Sequence, residues 1–125
     1  MADCPFCSFG PDRVIAGSAS AVAFFDSYPV AEGHALVVPR RHVSSIYELV
    51  SADQSDVWRL VADVRGILIE RFGVTSFTIG VNDGLDAGQT VPHAHVHIIP
   101  RRAGDVPDPR GGIRWIIAEK AAYWK

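Results

Sequence analysis

The stretch Gln89–Arg101, "QTVPHAHVHIIPR", carries three of the chain's five histidines at every second position and has a proline on either side of them. On a helix successive residues turn by about 100°, so His93, His95 and His97 would spread over roughly 200° of arc and could share no site. On a strand they stand on one face, and Ala94, Val96 and Ile98 point the other way into a core, as their chemistry requires. Pro92 and Pro100 are tolerated at strand ends but not in a central ladder, so they are expected to bound the segment. Next neighbours on the histidine face lie within about 7 Å. At that separation a neutral imidazole can act as nucleophile or base while another meets anionic oxygen or serves a leaving group. The alternative is a hydrogen-bonded structural cluster, or a strand whose outer face is merely wet. Strict alternation behind a glycine-rich loop favours the chemical reading.

That loop, "NDGLDAGQT" (82–90), offers neutral donors in Asn82, Gln89 and Thr90, suited to phosphate oxygens or ribose hydroxyls, while Gly80, Gly84 and Gly88 allow tight turns or close approach to a ligand. Asn-Asp-Gly is also an ordinary turn. Its aspartates lack the alternation and terminal glutamate of a calcium loop.

Working outward, "SASAVAFFDS" (18–27) and "GHALVVPR" (33–40) read as two strands joined by a turn at "YPVAEG" (28–33), an antiparallel hairpin. From Ser51 the period changes. Val57, Trp58, Leu60, Val61, Val64, Ile67, Leu68 and Phe72 recur at spacings of three and four, predicting an amphipathic helix with a Ser51–Gln54 capping box and a left-handed stop at Gly73. "VTSFTIGVN" (74–82) alternates again, as a half-buried strand does. The order β, β, long helix, β, β points to an α+β domain with helices on an antiparallel sheet. After Pro100 the chain is expected to cross the surface as far as "IRWIIAEKAAYW" (113–124), whose conformation the pattern leaves open.

The chain's 125 residues, 48% of them hydrophobic, suit one compact core and a single domain over residues 1–125. Twelve basic and 14 acidic residues sum to −2, so no global field favours nucleic acid or an anionic membrane, and neither is an expected partner. The pairs Arg40–Arg41 and Arg101–Arg102 either draw polyphosphate to the site or are solvated surface charge. The opening residues lack the basic start and apolar run of a secretory signal, and no stretch reaches the roughly 20 apolar residues of a membrane span, so a soluble cytoplasmic protein is expected. Cys4 and Cys7 are the only cysteines. Two thiolates three apart make half a tetrahedral metal site; a redox pair is the alternative, though nothing before Cys4 could be the strand such a pair usually follows.

"HAHVHII" (93–99) resembles the signature of the histidine triad hydrolases and transferases. The resemblance extends through "NDGLDAGQTVPHAHVHIIPRRAGD" (82–105), closer to the fragile-histidine-triad nucleoside-polyphosphate branch than to the phosphoramidases, and upstream through "FFDSYPVAEGHALVVPRRH" (24–42). It implies the histidine triad fold: α+β, an antiparallel sheet of about five strands with one long and one short helix packed on it. It implies His95 as the nucleophile that attacks an α-phosphate to give a transient nucleotidyl-histidine. His97 would contact the phosphate and assist the leaving group, with His34 the fourth histidine of the site. Asp26 would accept ribose hydroxyls, where the hydrolase branch often carries Asn. Asn82, Gln89 and Thr90 would lie along the phosphates and Phe24 against the base, unless Phe24 is simply core. Bacterial members with an N-terminal Cys-x-x-Cys bind structural zinc with two histidines, which implies the ligand set Cys4, Cys7, His42 and His93. A homodimer, a purine nucleotide substrate, and no catalytic metal or organic cofactor are the remaining implications. The function expected is hydrolysis or transfer at the α-phosphate of a dinucleoside polyphosphate or nucleotidyl derivative, releasing a nucleoside monophosphate. The alternatives are an adenosine phosphoramidase, a nucleotide-binding regulatory module with little turnover, and a hydrolase whose histidines hold a catalytic ion.

Overall fold

The computed structural model describes residues 3–124. Its strands are β1 (Val14–Gly17), β2 (Ala21–Phe25), β3 (Ala35–Pro39), β4 (Ser76–Gly80) and β5 (Val96–Arg101), with helices α1 (Ser51–Phe72) and α2 (Ala118–Ala121). They form a single five-stranded sheet in the order β1-β2-β3-β5-β4, every pair antiparallel. The expected hairpin is β2–β3, with Phe24 opposite Leu36 and Phe25 opposite Ala35. β1 was not legible in advance: four residues joined to β2 through an irregular register between Val14 and Ala16 carry too little alternation to stand out.

The two faces of the sheet carry different chemistry. Helix α1 covers one, where Val57, Val64 and Leu68 pack on Ala21, Ala23, Val37, Val96 and Ile98, all fully buried. On the other, Val22, Phe24, Leu36 and Val38 form a smaller cluster under Phe6 and Phe9. Strand β5 divides them by alternation, burying Val96, Ile98 and Pro100 while His97, Ile99 and Arg101 stay partly open.

Three local expectations are corrected. The ladder starts only at Val96, so His97 alone of the triad lies within β5. Ahead of it His93 N–H bonds Val91 O (2.8 Å) and Ala94 N–H bonds Val43 O (2.7 Å), so the backbone amides of these two residues bond outside the β3 ladder. The strand also runs through Pro100 to Arg101, because β3 pairs β5 only from Val96 to Ile98 and Pro100 lies outside that ladder. Finally, α1 has Val50 at its N-cap with no side-chain bond, and Gln54 Nε2 instead donates to Leu49 O (2.9 Å). The capping box belongs to the preceding 3-10 turn Ile46–Glu48, where Tyr47 N–H donates to Ser45 Oγ (3.2 Å) and Ser45 N–H to Glu48 Oε1 (2.9 Å). Gly73 does end α1, at φ 69° with its N–H on Ile69 O.

Asp56 on α1 ties the helix to the β1–β2 turn. It accepts Ser18 Oγ–H (2.6 Å) and Ser20 N–H (3.0 Å), and these bonds hold its carboxyl down at about 2. The C-terminal segment, left open by its pattern, is a 3-10 stretch Gly112–Ile117 followed by α2, with Ile113 lying against Gly80 of β4.

Candidate functional site

The sheet face opposite α1 carries a cavity of about 330 Å³ between the N-terminal segment, the ends of β2 and β5, and the glycine loop. Among its lining residues are Phe24, Asp26, Asn82, Thr90, His95 and His97, six of those expected to serve a nucleotide. His34 reaches the same place from behind, its Nε2 3.0 Å from His97 Nδ1 and 3.4 Å from Asp26 Oδ2. Gln89 does not line the cavity. Its amide donates to Ser44 O (2.9 Å) and Val91 O (3.0 Å) and accepts from Gly84 N–H (2.9 Å), so it shapes the loop and ties it to the segment after β3. Phe24 is both wall and core, 1% exposed and stacked on Phe9 at 4.7 Å.

Hydrogen bonds set the tautomer of each imidazole. His95 Nδ1–H donates to the carbonyl of His93 (2.8 Å), which leaves the lone pair on Nε2. Val30 N–H donates to His34 Nδ1 (3.1 Å), so a neutral His34 carries its proton on Nε2 and donates it to His97 Nδ1. His97 then holds its own proton on Nε2. The outcome is a pair of adjacent rings, centroids 5.1 Å apart, one offering a nucleophilic nitrogen and the other an N–H donor. Burial keeps the donor ring neutral: it lowers His97 to about 4, helped by the His95 and His34 rings and opposed by Asp26. His34 is also lowered by burial, again against the pull of Asp26.

His93 faces away from the other two. Its Nε2–H donates to Pro39 O (2.8 Å), leaving Nδ1 to point at Cys4 Sγ and Cys7 Sγ (both 3.5 Å) and His42 Nδ1 (3.1 Å). The ligand atoms of Cys4, Cys7, His42 and His93 all lie within 4.8 Å of one another and form a group that could hold a metal ion. A tetrahedral site with metal–sulfur bonds of about 2.3 Å and metal–nitrogen bonds of about 2.0–2.1 Å has edges of about 3.3–3.8 Å. The two Cys–His93 separations of 3.5 Å fall within that range and the two His42 separations of 3.1 Å lie just short of it, so the group is compact enough to close on one ion.

Several lining residues escaped the sequence reading. Phe6, between the cysteines, packs edge-on to His95 at 4.8 Å. Arg13 lies over the Phe24 ring at 5.4 Å and donates to Phe25 O (2.9 Å). Only the position of Phe6 inside Cys-x-x-Cys was a signal, since a lone arginine before a short strand has no pattern. The basic pairs are not part of the cavity: Arg40 donates to Ser18 O, Arg101 pairs with Asp105 and Arg102 with Glu32. A larger groove of about 960 Å³, lined in part by Ile99, Val106 and Trp115, contains none of the five histidines.

The chain is similar to several known proteins. The chain is 41% identical over 85 residues to an asymmetrical bis(5'-nucleosyl)-tetraphosphatase of Schizosaccharomyces pombe, covering 68% of this chain and 47% of the relative. It is 33% identical over 102 residues to an adenosine 5'-monophosphoramidase of the same yeast, covering 78% and 74%. The crystal structure of the Caenorhabditis elegans NitFhit protein superposes with a TM-score of 0.75 at 42% identity, over 80% of this chain and 24% of that one. The chain thus spans about half the length of the tetraphosphatase and under a quarter of the NitFhit chain. The HIT domain model matches residues 10–104, from before β1 to beyond β5, and therefore takes in the whole sheet and all five histidines. By that match the chain belongs to the histidine triad (HIT) family.

Proposed function

We propose that the protein is a nucleotide hydrolase that cleaves a dinucleoside polyphosphate at an α-phosphate through a nucleotidyl-His95 intermediate. The observation that carries this reading is the free Nε2 lone pair of His95, held by the His93 carbonyl at the wall of a nucleotide-sized cavity. Nε2 attacks the α-phosphorus and the bond to the leaving-group oxygen breaks. Water then attacks phosphorus, the phosphorus–nitrogen bond breaks, and a nucleoside monophosphate is released with His95 regenerated. The Nε2–H of His97 and the donors of Asn82 and Thr90 meet the charge on the transferring phosphoryl group. Asp26 takes the ribose hydroxyls, and Phe24 with Phe6 takes a purine base.

The adenosine phosphoramidase reading suits the site less well. His97 lowered to about 4 is neutral near pH 7. A polyphosphate departs as an anion, whereas an amine needs a proton, so the neutral donor suits the former. The relatives' names include both activities. The four-ligand group is read as a structural zinc site: two thiolates with two imidazoles is a common zinc donor set, and here it would anchor the N-terminal segment beside the cavity. A thiolate metal group of this kind suits a reducing compartment such as the cytoplasm. One domain and a homodimer complete the reading.

The experiment is to incubate wild type and His95→Ala with diadenosine tri- and tetraphosphate and with adenosine phosphoramidate. The variant should retain nucleotide binding and lose at least about 10³-fold in kcat on every substrate. Retention of a tenth of wild-type turnover on any of them would rule His95 out as the nucleophile.

A further inference from the structure

The cysteine turn does more than close a metal site. Cys4 O accepts both Cys7 N–H and Ser8 N–H (3.2 Å each), so Pro5 and Phe6 sit in a tight turn between the two thiols. Both line the cavity. Phe6 packs edge-on to His95 (4.8 Å) and His93 (6.0 Å) and against Phe24 (5.7 Å), so a single ring touches a metal-group histidine, the ring with the free Nε2 and the floor of the pocket. A second link runs through the backbone, since the carbonyl that orients His95 belongs to His93. With no cation, the turn is attached to the sheet by apolar contacts of Phe6 and Phe9 and by weak sulfur–nitrogen contacts. With a cation bound, one bond each from Cys4 and Cys7 would tie the turn to an ion also held by His42 and His93, and Phe6 would be held with it.

We propose that the Cys4–Cys7 turn is a metal-held wall of the nucleotide pocket, so that metal and nucleotide each tighten the other's binding through Phe6. This rests on the nucleotide reading above. Phe6 meets both the nucleotide and the cysteine turn in this scheme, and the coupling is reciprocal by thermodynamic necessity.

The test measures zinc affinity of the full chain by competition with a chromophoric chelator, with and without AMP at a fixed multiple of its Kd, in wild type and Phe6→Ala. AMP should tighten zinc binding about ten-fold in wild type, within the usual range for coupled sites. In Phe6→Ala the shift should fall below about two-fold, with AMP itself bound more weakly. Calorimetric titration of AMP into zinc-loaded and zinc-free wild type should return the same coupling factor. AMP binding with no change in zinc affinity, or an equal change in Phe6→Ala, overturns the proposal while leaving the nucleotide reading intact. Failure of AMP to bind zinc-loaded wild type overturns both. The affinity readout separates this role from general folding, because a metal that acted only on the fold would couple to AMP equally in the variant.

Discussion

Asp26, His34 and His97 form a chain of polar contacts at the cavity wall, and burial decides what that chain does with pH. An unfolded histidine titrates near 6.5, while folded His97 is lowered to about 4. Between those values the unfolded chain binds the proton and the native one does not, so stability falls as pH drops from 6.5 towards 4 and levels off below. Asp56, lowered to about 2, contributes stability that is fully present above its ordinary value of 3.8 and is lost as pH falls towards 2, so the two windows do not overlap. Thermal unfolding from pH 7 to 4.5 should show the falling Tm, and His97→Asn should make the fall shallower without abolishing it, since burial lowers His34 and His93 as well; an unchanged slope would show that His97 titrates normally. The same group predicts selectivity. Cleavage of diadenosine polyphosphate relative to adenosine phosphoramidate should be greatest near pH 7 and narrow as the pH is lowered, measured as a ratio of kcat/KM.

The hairpin β2–β3 and helix α1 position these side chains, and one glycine joins them. Gly33 has φ 87°, and a Cβ there would meet the Phe72 ring at 3.1 Å and Pro100 at 3.3 Å. It therefore marks where the turn before His34 passes close to the end of α1 and to β5. Gly33→Ala combines a left-handed backbone with a crowded site and should cost about 1–3 kcal/mol. Chemical denaturation reads the loss, and a variant as stable as wild type would show that the turn relaxes freely. The predicted helix proved correct in extent because its apolar spacing is sustained over 51–72, while its capping box proved to belong one turn earlier, where Ser45 and Glu48 show the same residue spacing. Short local signals repeat in neighbouring places; a long period does not.

Across the whole molecule, the N-terminal turn packs over β2 and β3 on one face of the sheet, and the C-terminal segment lies against the edge strand β4. Removing metal with a chelator should lower Tm by several degrees while His95 keeps its hydrogen bond to the His93 carbonyl, so residual turnover in the folded fraction should persist. Complete and immediate loss of activity at unchanged fold, read by circular dichroism, would favour a catalytic ion instead. Strand β4 is an edge strand, and Ile113, Ile116 and Ile117 beside it are 56%, 77% and 55% exposed. Such an edge with an apolar flank suits a second copy of the chain. Sedimentation should show a dimer, and Ile116→Glu should shift it towards monomer; a monomeric wild type at micromolar concentration would refute the homodimer. Among the described residues no helix is long and apolar enough to cross a membrane.

Periodicity alone determined the long helix, the half-buried strand β4, the hairpin and the segregation of Ala94, Val96 and Ile98 from the three histidines. Those features follow from geometry that repeats along the chain, and a linear pattern records it directly. What each histidine does was decided by tertiary structure. The carbonyl that orients His95, the backbone amide that sets His34, the thiols around His93 and the Phe6 ring over the cavity all come from residues distant in sequence or from backbone atoms, and no side-chain pattern encodes where those atoms will lie.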